Sequence, residues 1–193
     1  NSQAITEEMV EDIRQRPDVT SVSALKTREI PLTASKELRQ RIAAFYDQPY
    51  DETMTLRDTQ AAFPNWIAGL DRITESGSYT AVVIGIEGDY LDYVLENCPF
   101  TSGSFDREAF LSGDYVIAGG AYYEGVSCLA AGETLKLEDR TFQVMGSIMH
   151  DTSYLCGSNS TEAAFALFYL LPLDTFRTLY PDQGYRQLAV NID

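Results

Sequence analysis

At 193 residues the chain has room for one large domain or two small ones. Its 45% hydrophobic and 22% charged residues are ordinary globular composition, which argues against disorder. Fourteen Lys and Arg against 29 Asp and Glu give a formal net charge of −15, a sign that repels nucleic acid and anionic bilayers. The imbalance is concentrated: residues 1–72 carry 9 basic and 12 acidic side chains, and residues 73–193 carry 5 and 17.

Ile5, Met9 and Ile13 recur every four residues with Val10 beside them, which draws one apolar face of a helix. Glu7 and Glu8 in its first turn and Arg14 and Arg16 in its last complement the helix dipole, and Pro17 ends it. A strand is expected over 19–25, running on toward Ile30 and closed by Pro31. A second helix starts near Ser35, whose hydroxyl can accept from an unpaired first-turn N–H, with Leu38, Ile42 and Phe45 at helical spacing. Residues 47–59 are polar, contain Pro49, lack periodicity and read as a loop. Phe63, Trp66, Ile67 and Leu70 suggest a short helix after Pro64. Tyr46, Tyr50, Phe63 and Trp66 are candidates for an aromatic partner surface, core packing being the alternative for rings of this size.

The strand expected over 79–86 contains Ala81-Val82-Val83-Ile84, apolar at every position, which implies burial on both faces. Gly85 and Gly88 follow this apolar run. Their spacing matches neither the dinucleotide nor the Walker pattern, and their neighbours are acidic, so a phosphate loop is not expected. Then come a short helix over 90–95, a loop over 97–106 with an extended piece, a buried strand over 115–118, and a turn at Gly119 into a short helix toward Val126. Residues 133–137 and 141–145 alternate on either side of Glu138-Asp139-Arg140, marking a hairpin with one wet face. Residues 150–161 read as a polar loop and 165–171 as a strand. Pro172 opens a helix with Phe176 and Leu179 inward, and 186–192 forms the last strand. Strands outnumber helices and the two interleave, so the expected class is α/β to α+β with mixed sheets.

No catalytic constellation is legible. His150 is the single histidine, and a histidine-rich metal site cannot be built from it. Cys98, Cys128 and Cys156 show no zinc spacing; three buried thiols are the simplest reading, and one disulfide plus a spare thiol the other. Asp89, Asp92 and Glu96 share a helical face, which reads as a solvated face rather than a cation site. Asn159-Ser160-Thr161 fits a glycosylation acceptor pattern, which carries meaning only in a eukaryotic secretory setting. No enzyme activity, cofactor or metal is expected. The longest strongly apolar run, 163–173, falls well short of the ~20 residues a helix needs to cross a bilayer, so the chain is expected to be soluble.

The order of signals over the second half is more specific than any one of them. Ile-Gly-Ile-Glu-Gly-Asp-Tyr-Leu at 84–91, a glycine-bearing acidic loop at 103–106, and Asp-Tyr-Val-Ile-Ala-Gly at 114–119 resemble the extracytoplasmic core domain of MacB/FtsX-type ABC transporter permeases. So do the 131–146 hairpin, the strand–Pro–helix segment at 168–175 and the helix–Pro–strand opening at 12–23; residues 32–78 hardly match. Asp18, Glu133 and Asp139 are acidic departures from that pattern. The resemblance implies one extracytoplasmic domain over 1–193 with two subdomains: a porter-like unit from 1–88 plus 165–193, and a smaller α+β unit inserted at 89–164. It implies a piece of a longer protein, placed between two transmembrane helices with both its ends together at the membrane. The implied partners are the transmembrane helices of the same permease, a separate or fused ABC ATPase, an accessory protein and a second copy in a homodimer. Its implied role is mechanical, coupling cytoplasmic ATP hydrolysis to export or release of a substrate. The alternative expectation is an extracellular ligand-binding or sensory domain with its site in the weakly matching segment.

Overall fold

The computed structural model describes residues 4–121, 129–150 and 165–193. Helix α1 (Glu7–Arg14) begins at Thr6, whose hydroxyl accepts from the Met9 N–H, and ends before Pro17 as its charges and periodicity require. Strand β1 (Val19–Thr33) does not stop at Pro31. Beyond Leu25 it has β2 on one flank but no longer β8 on the other, and a residue without an N–H is tolerated on such an edge. Ser35 caps α2 (Lys36–Tyr46) by accepting from the Leu38 N–H at 3.1 Å. Helix α3 (Pro64–Ser76) is longer than the short helix expected; it starts on Pro64 and ends at Gly77, whose φ of 82° is the left-handed conformation that closes helices.

Strand β2 (Ser78–Ile86) leads into α4 (Gly88–Asn97), and the extended piece of the following loop is β3 (Phe100–Gly103). A five-residue helix that periodicity could not reveal, α5 (Arg107–Leu111), follows on an Asp106 cap. Strand β4 (Tyr115–Ala121) continues through Gly119 and Gly120 where a turn was expected, because both glycines are paired to neighbouring strands. The helix expected toward Val126 falls outside the described residues. The hairpin is β5 (Thr134–Leu137) and β6 (Arg140–His150), with Glu138 at φ 53° in its turn. His150 therefore closes a strand, opposite Ala121, instead of opening a loop. Strand β7 (Ala166–Pro172), helix α6 (Leu173–Leu179) and strand β8 (Gln187–Ile192) complete the chain.

The eight described strands form one sheet in the order β3-β6-β4-β7-β2-β1-β8, with β5 also paired to β6. It is mixed: β2–β7 and β4–β6 are parallel, and the other pairs antiparallel. The class is therefore mixed α/β. Strands from 1–88 and 165–193 (β7, β2, β1, β8) are contiguous, and strands from 89–164 occupy the other half. The two halves are hydrogen-bonded into one sheet where β4 meets β7, from Ile117↔Leu170 to Gly120↔Leu167.

Helices cover both faces, which is why the central strands are apolar at every position. On one face, Ala81 and Val83 of β2 and Leu167, Tyr169 and Leu171 of β7 pack with Leu38, Ile42 and Tyr46 of α2, Leu70 and Ile73 of α3, and Leu135 and Phe142 of the hairpin. On the other, Val82, Ile84, Phe168 and Leu170 pack with Tyr90, Leu91 and Val94 of α4 and Phe110 of α5. A smaller cluster, Val10, Ala24, Leu173 and Tyr185, seats α1.

The two arms of the chain share one sheet edge without meeting at a point. Ile5 bridges Tyr185 just before β8, while the Asp193 N–H donates to the Asp18 carbonyl just before β1. At ~3.3 Å per residue, the length of β8 separates these contacts by about 25 Å. Among the described residues the two arms thus share an edge; residues 1–3, on which the expected meeting of the two ends depends, lie outside them.

Candidate functional site

The chain's most unusual polar group is Lys26, in the middle of β1 and only 2% exposed. A buried ammonium is costly unless paired. Its partner comes from α1: the Glu7 carboxylate lies 2.9 Å from Nζ through Oε1, and the Tyr185 ring lies beneath the ammonium at 4.2 Å. The Tyr185 hydroxyl donates to Glu7 Oε2 and accepts from the Arg177 guanidinium, whose Nε is 3.5 Å from Glu7 Oε1. Asp174 holds Arg177 from the exposed side at 3.1 Å. One carboxylate thus meets two cations and a phenol drawn from β1, α6 and the segment before β8.

Burial pushes the Glu7 carboxyl up, but hydrogen bonds from Tyr185 and Lys26 and the charges of Arg177 and Lys26 outweigh it and hold it below the usual carboxylate value. The Tyr185 phenol is raised, first by burial and then by its bond to the carboxylate. The helix dipole accounts for an acidic residue in the first turn, but not for this contact. Lys26 carried a weak signal of its own, a charge directly after Ala24-Leu25. Nothing in the spacing of Glu7, Lys26, Arg177 and Tyr185 shows that they meet.

Gly85, near the end of β2, and Gly88, at the start of α4, serve packing. A Cβ on Gly85 would lie 2.5 Å from Phe176 Cβ, so Gly85 lets α6 close on the sheet opposite Lys26. Gly88 has φ 52°, and a Cβ there would lie 2.3 Å from the Ser23 hydroxyl oxygen. That hydroxyl accepts from the Asp89 N–H at 2.9 Å and caps α4 from β1. Glu87, between them, accepts from the Ala24 N–H and pairs with Arg14, tying the last turn of α1 to the sheet.

The four aromatics singled out from the sequence divide in two. Tyr46 is 1% exposed and packs edge-on against Trp66 at 5.1 Å and Phe165 at 6.0 Å; Trp66 is half-buried against the same core. Tyr50 and Phe63 are exposed, at 63% and 51%. Of the four, Tyr46 and Trp66 thus belong to the core, and Tyr50 and Phe63 remain accessible. The loop that carries Tyr50 is ordered by its own acids: Asp51 accepts from the Thr53 and Met54 N–H groups, and Asp58 from that of Thr55.

Two open grooves flank Tyr79, whose hydroxyl is bonded to that of Tyr169 at 2.8 Å and whose pKa burial pushes up to about 12. The larger, about 410 Å³, lies between the start of α2 and the hairpin and is lined by residues including Leu32, Ser35, Glu133 and Lys136. Neither groove is lined by Tyr50 or Trp66.

Asp92 pairs with Arg107, and Asp89 accepts from Asn191, so two members of the acidic helical face hold neighbouring elements. Among the described residues no three His, Cys, Asp or Glu side chains gather in a way that could hold a metal ion. Cys98 is buried in the core; Cys128, Cys156 and the Asn159 pattern lie outside the described residues. No described helix is long and apolar enough to cross a membrane.

The chain thus forms a helix-covered, mixed-sheet α/β domain whose N-terminal helix is clamped by an ion network around the buried Lys26 ammonium. No protein-family profile matches it, and no curated protein matches its sequence. Among solved structures it is similar to the extracellular domain of the noncanonical ABC-type transporter YknZ from Gram-positive bacteria, at 16% identity and a TM-score of 0.49, covering 100% of this chain and 75% of that one. It is also similar to the periplasmic region of MacB from Actinobacillus actinomycetemcomitans, at 13% identity and a TM-score of 0.49, covering 100% of this chain and 67% of that one.

Proposed function

We propose that the chain is the extracytoplasmic domain of an ABC transporter permease of the MacB/FtsX type. In this role it is a non-catalytic unit that couples ATP hydrolysis in the cytoplasm to movement outside the membrane, for export or release of a substrate. The observation that carries the reading is the partition of the sheet. The two arms of the chain, 1–88 and 165–193, supply one contiguous half, and the segment between them supplies the other. This supports a porter-like unit held by both arms and an inserted unit beyond it. The ordered motifs at 84–91, 103–106, 114–119, 131–146 and 168–175 support the same reading, as does the position of α1 and β8 on one edge. The partners are then the transmembrane helices of the same permease, an ABC ATPase, an accessory protein for which Tyr50 and Phe63 offer exposed rings, and a second copy of the permease.

The reading frame that encodes the chain tests this. Apolar stretches of about 20 residues are expected on both sides of it, with an ATPase domain fused or encoded beside them. A frame without flanking spans overturns the proposal. A second reading, an extracellular ligand-binding or sensory domain, is favoured by the groove of about 410 Å³ beside Tyr79. Small molecules that raise Tm, with the gain lost when Leu32 or Lys136 is replaced, would select it.

A further inference from the structure

We propose that α1 is a releasable strap, latched by the Glu7 carboxylate in a socket made by Lys26, Tyr185 and Arg177, and that its release uncovers Lys26 while the sheet stays folded. This rests on contacts within the chain and is independent of the transport reading.

Three observations carry it. First, α1 has little holding it apart from the latch. It is 8 residues long, Val10 is its one fully buried residue, and Met9 is 42% exposed. A helix of that length is not stable by itself and depends on what it docks against. Its other ties are the Tyr185 N–H to the Ile5 carbonyl, just before the helix, and Arg14 to Glu87, whose side chains are each about a third exposed; Glu7 is itself 61% exposed but meets an ammonium that is only 2% exposed. Second, α1 contributes to neither of the two large core clusters. Its apolar contacts form the separate group of Val10 with Ala24, Leu173 and Tyr185, edged by Ile5, Val22 and Leu188. Lifting α1 therefore leaves the packing of α2, α3, α4 and α5 on the sheet untouched.

Third, the charge arrangement makes the two positions of α1 distinct. With α1 docked, the Lys26 ammonium is dry and needs the carboxylate above it; with α1 lifted, water reaches the ammonium and no unpaired charge is buried. The costly arrangement is α1 docked without the charge of Glu7. The carboxylate is thus the group that decides between the two positions. The groups that face it are Lys26 from β1, Arg177 from α6, and Tyr185 from the segment before β8, with Asp174 behind Arg177.

The lysines make this directly measurable. The chain has three, and Lys36 and Lys136 are exposed whereas Lys26 is covered. The wild-type chain and Glu7→Gln are treated with an amine-acetylating ester, and each lysine is followed by mass spectrometry. Hydrogen exchange of α1, β2 and β7 is followed in parallel, because that readout does not depend on amine basicity. Lys36 and Lys136 are expected to react promptly in both proteins. Lys26 is expected to react slowly in the wild type and about tenfold faster in E7Q, as loss of a charge-assisted hydrogen bond implies. Exchange of α1 is expected to rise by a similar factor while β2 and β7 stay protected. An E7Q chain with unchanged Lys26 labelling and α1 exchange overturns the latch. A rise in Lys26 labelling without a rise in α1 exchange also overturns it, since that marks altered amine reactivity with the helix in place. If α1, β2 and β7 lose protection together, or if E7Q does not fold, α1 is an integral part of the fold and the strap is overturned.

Discussion

Gly85 and Glu7 show how much one side chain, or its absence, decides here. Phe176 occupies the space a Cβ at position 85 would need, so Gly85→Ala forces α6 away from the sheet. The expected cost is about 1–3 kcal/mol, as for other overpacked cores, seen as a lower denaturant midpoint with little change in slope. Glu7 acts through pH. Its folded-state pKa is held below the ordinary value of 4.5, so its contribution is fully present above that value and is lost as pH falls through the folded value. Stability measured against pH should therefore decline on the acid side of 4.5, and E7Q should flatten part of that decline. Asp18, held low by Arg16, and Asp51 and Asp58, held low by hydrogen bonds from Thr53 and Thr55, keep the remainder. An E7Q profile parallel to wild type would show that the carboxylate is not coupled to folding.

Among the elements, those with local instructions are the ones the sequence announces. Helix α2 has an apolar stripe and a Ser35 cap, and Ser35→Ala should cost about 1 kcal/mol in unfolding free energy, because the Leu38 N–H loses its acceptor. A loss of less than a few tenths would mean that water replaces the cap. Strand β2 is legible as doubly buried because Ala81–Ile84 is apolar without alternation; β7 was expected only as a strand, and the structure shows Leu167–Leu171 buried on both faces. Helix α5 was not legible, since five residues are too few for a period to show, and its Asp106 cap is one acid among many. Strand β1 passes Pro31 because of what lies beside it, a neighbour on one flank only, which no local rule can know. Of the candidate surface, size and aromaticity marked all four rings, but only the packing of α2 against α3 and Phe165 separates buried Tyr46 from exposed Tyr50.

For the whole molecule, the seam between β4 and β7 sets the behaviour. Ile117 pairs with Leu170, and the core beneath α2 and α3 runs unbroken from Val83 to Phe142 across the two halves of the sheet. Leu170→Ala, at a fully buried position, should cost about 2–5 kcal/mol and shift a single cooperative transition, because each half packs on the other. Two transitions resolved by calorimetry, with only one of them shifted, would mean that the halves fold as separate units. The net charge of −15 acts at this scale too, as self-repulsion that added salt relieves, distributed over the surface and not tied to a site.

The sequence by itself determined which stretches are helices or strands wherever a cap, a period or an unbroken apolar run was present, and it determined the acidic surface. These are properties of neighbouring residues, and chain-local physics is enough to read them. Only the tertiary structure decided the order of the strands, the union of two sets of strands in one sheet, and the meeting of Glu7 with Lys26, Arg177 and Tyr185. Those depend on which surfaces close on one another after distant segments come together, and a buried lysine finds its partner through the fold, not through its place in the chain.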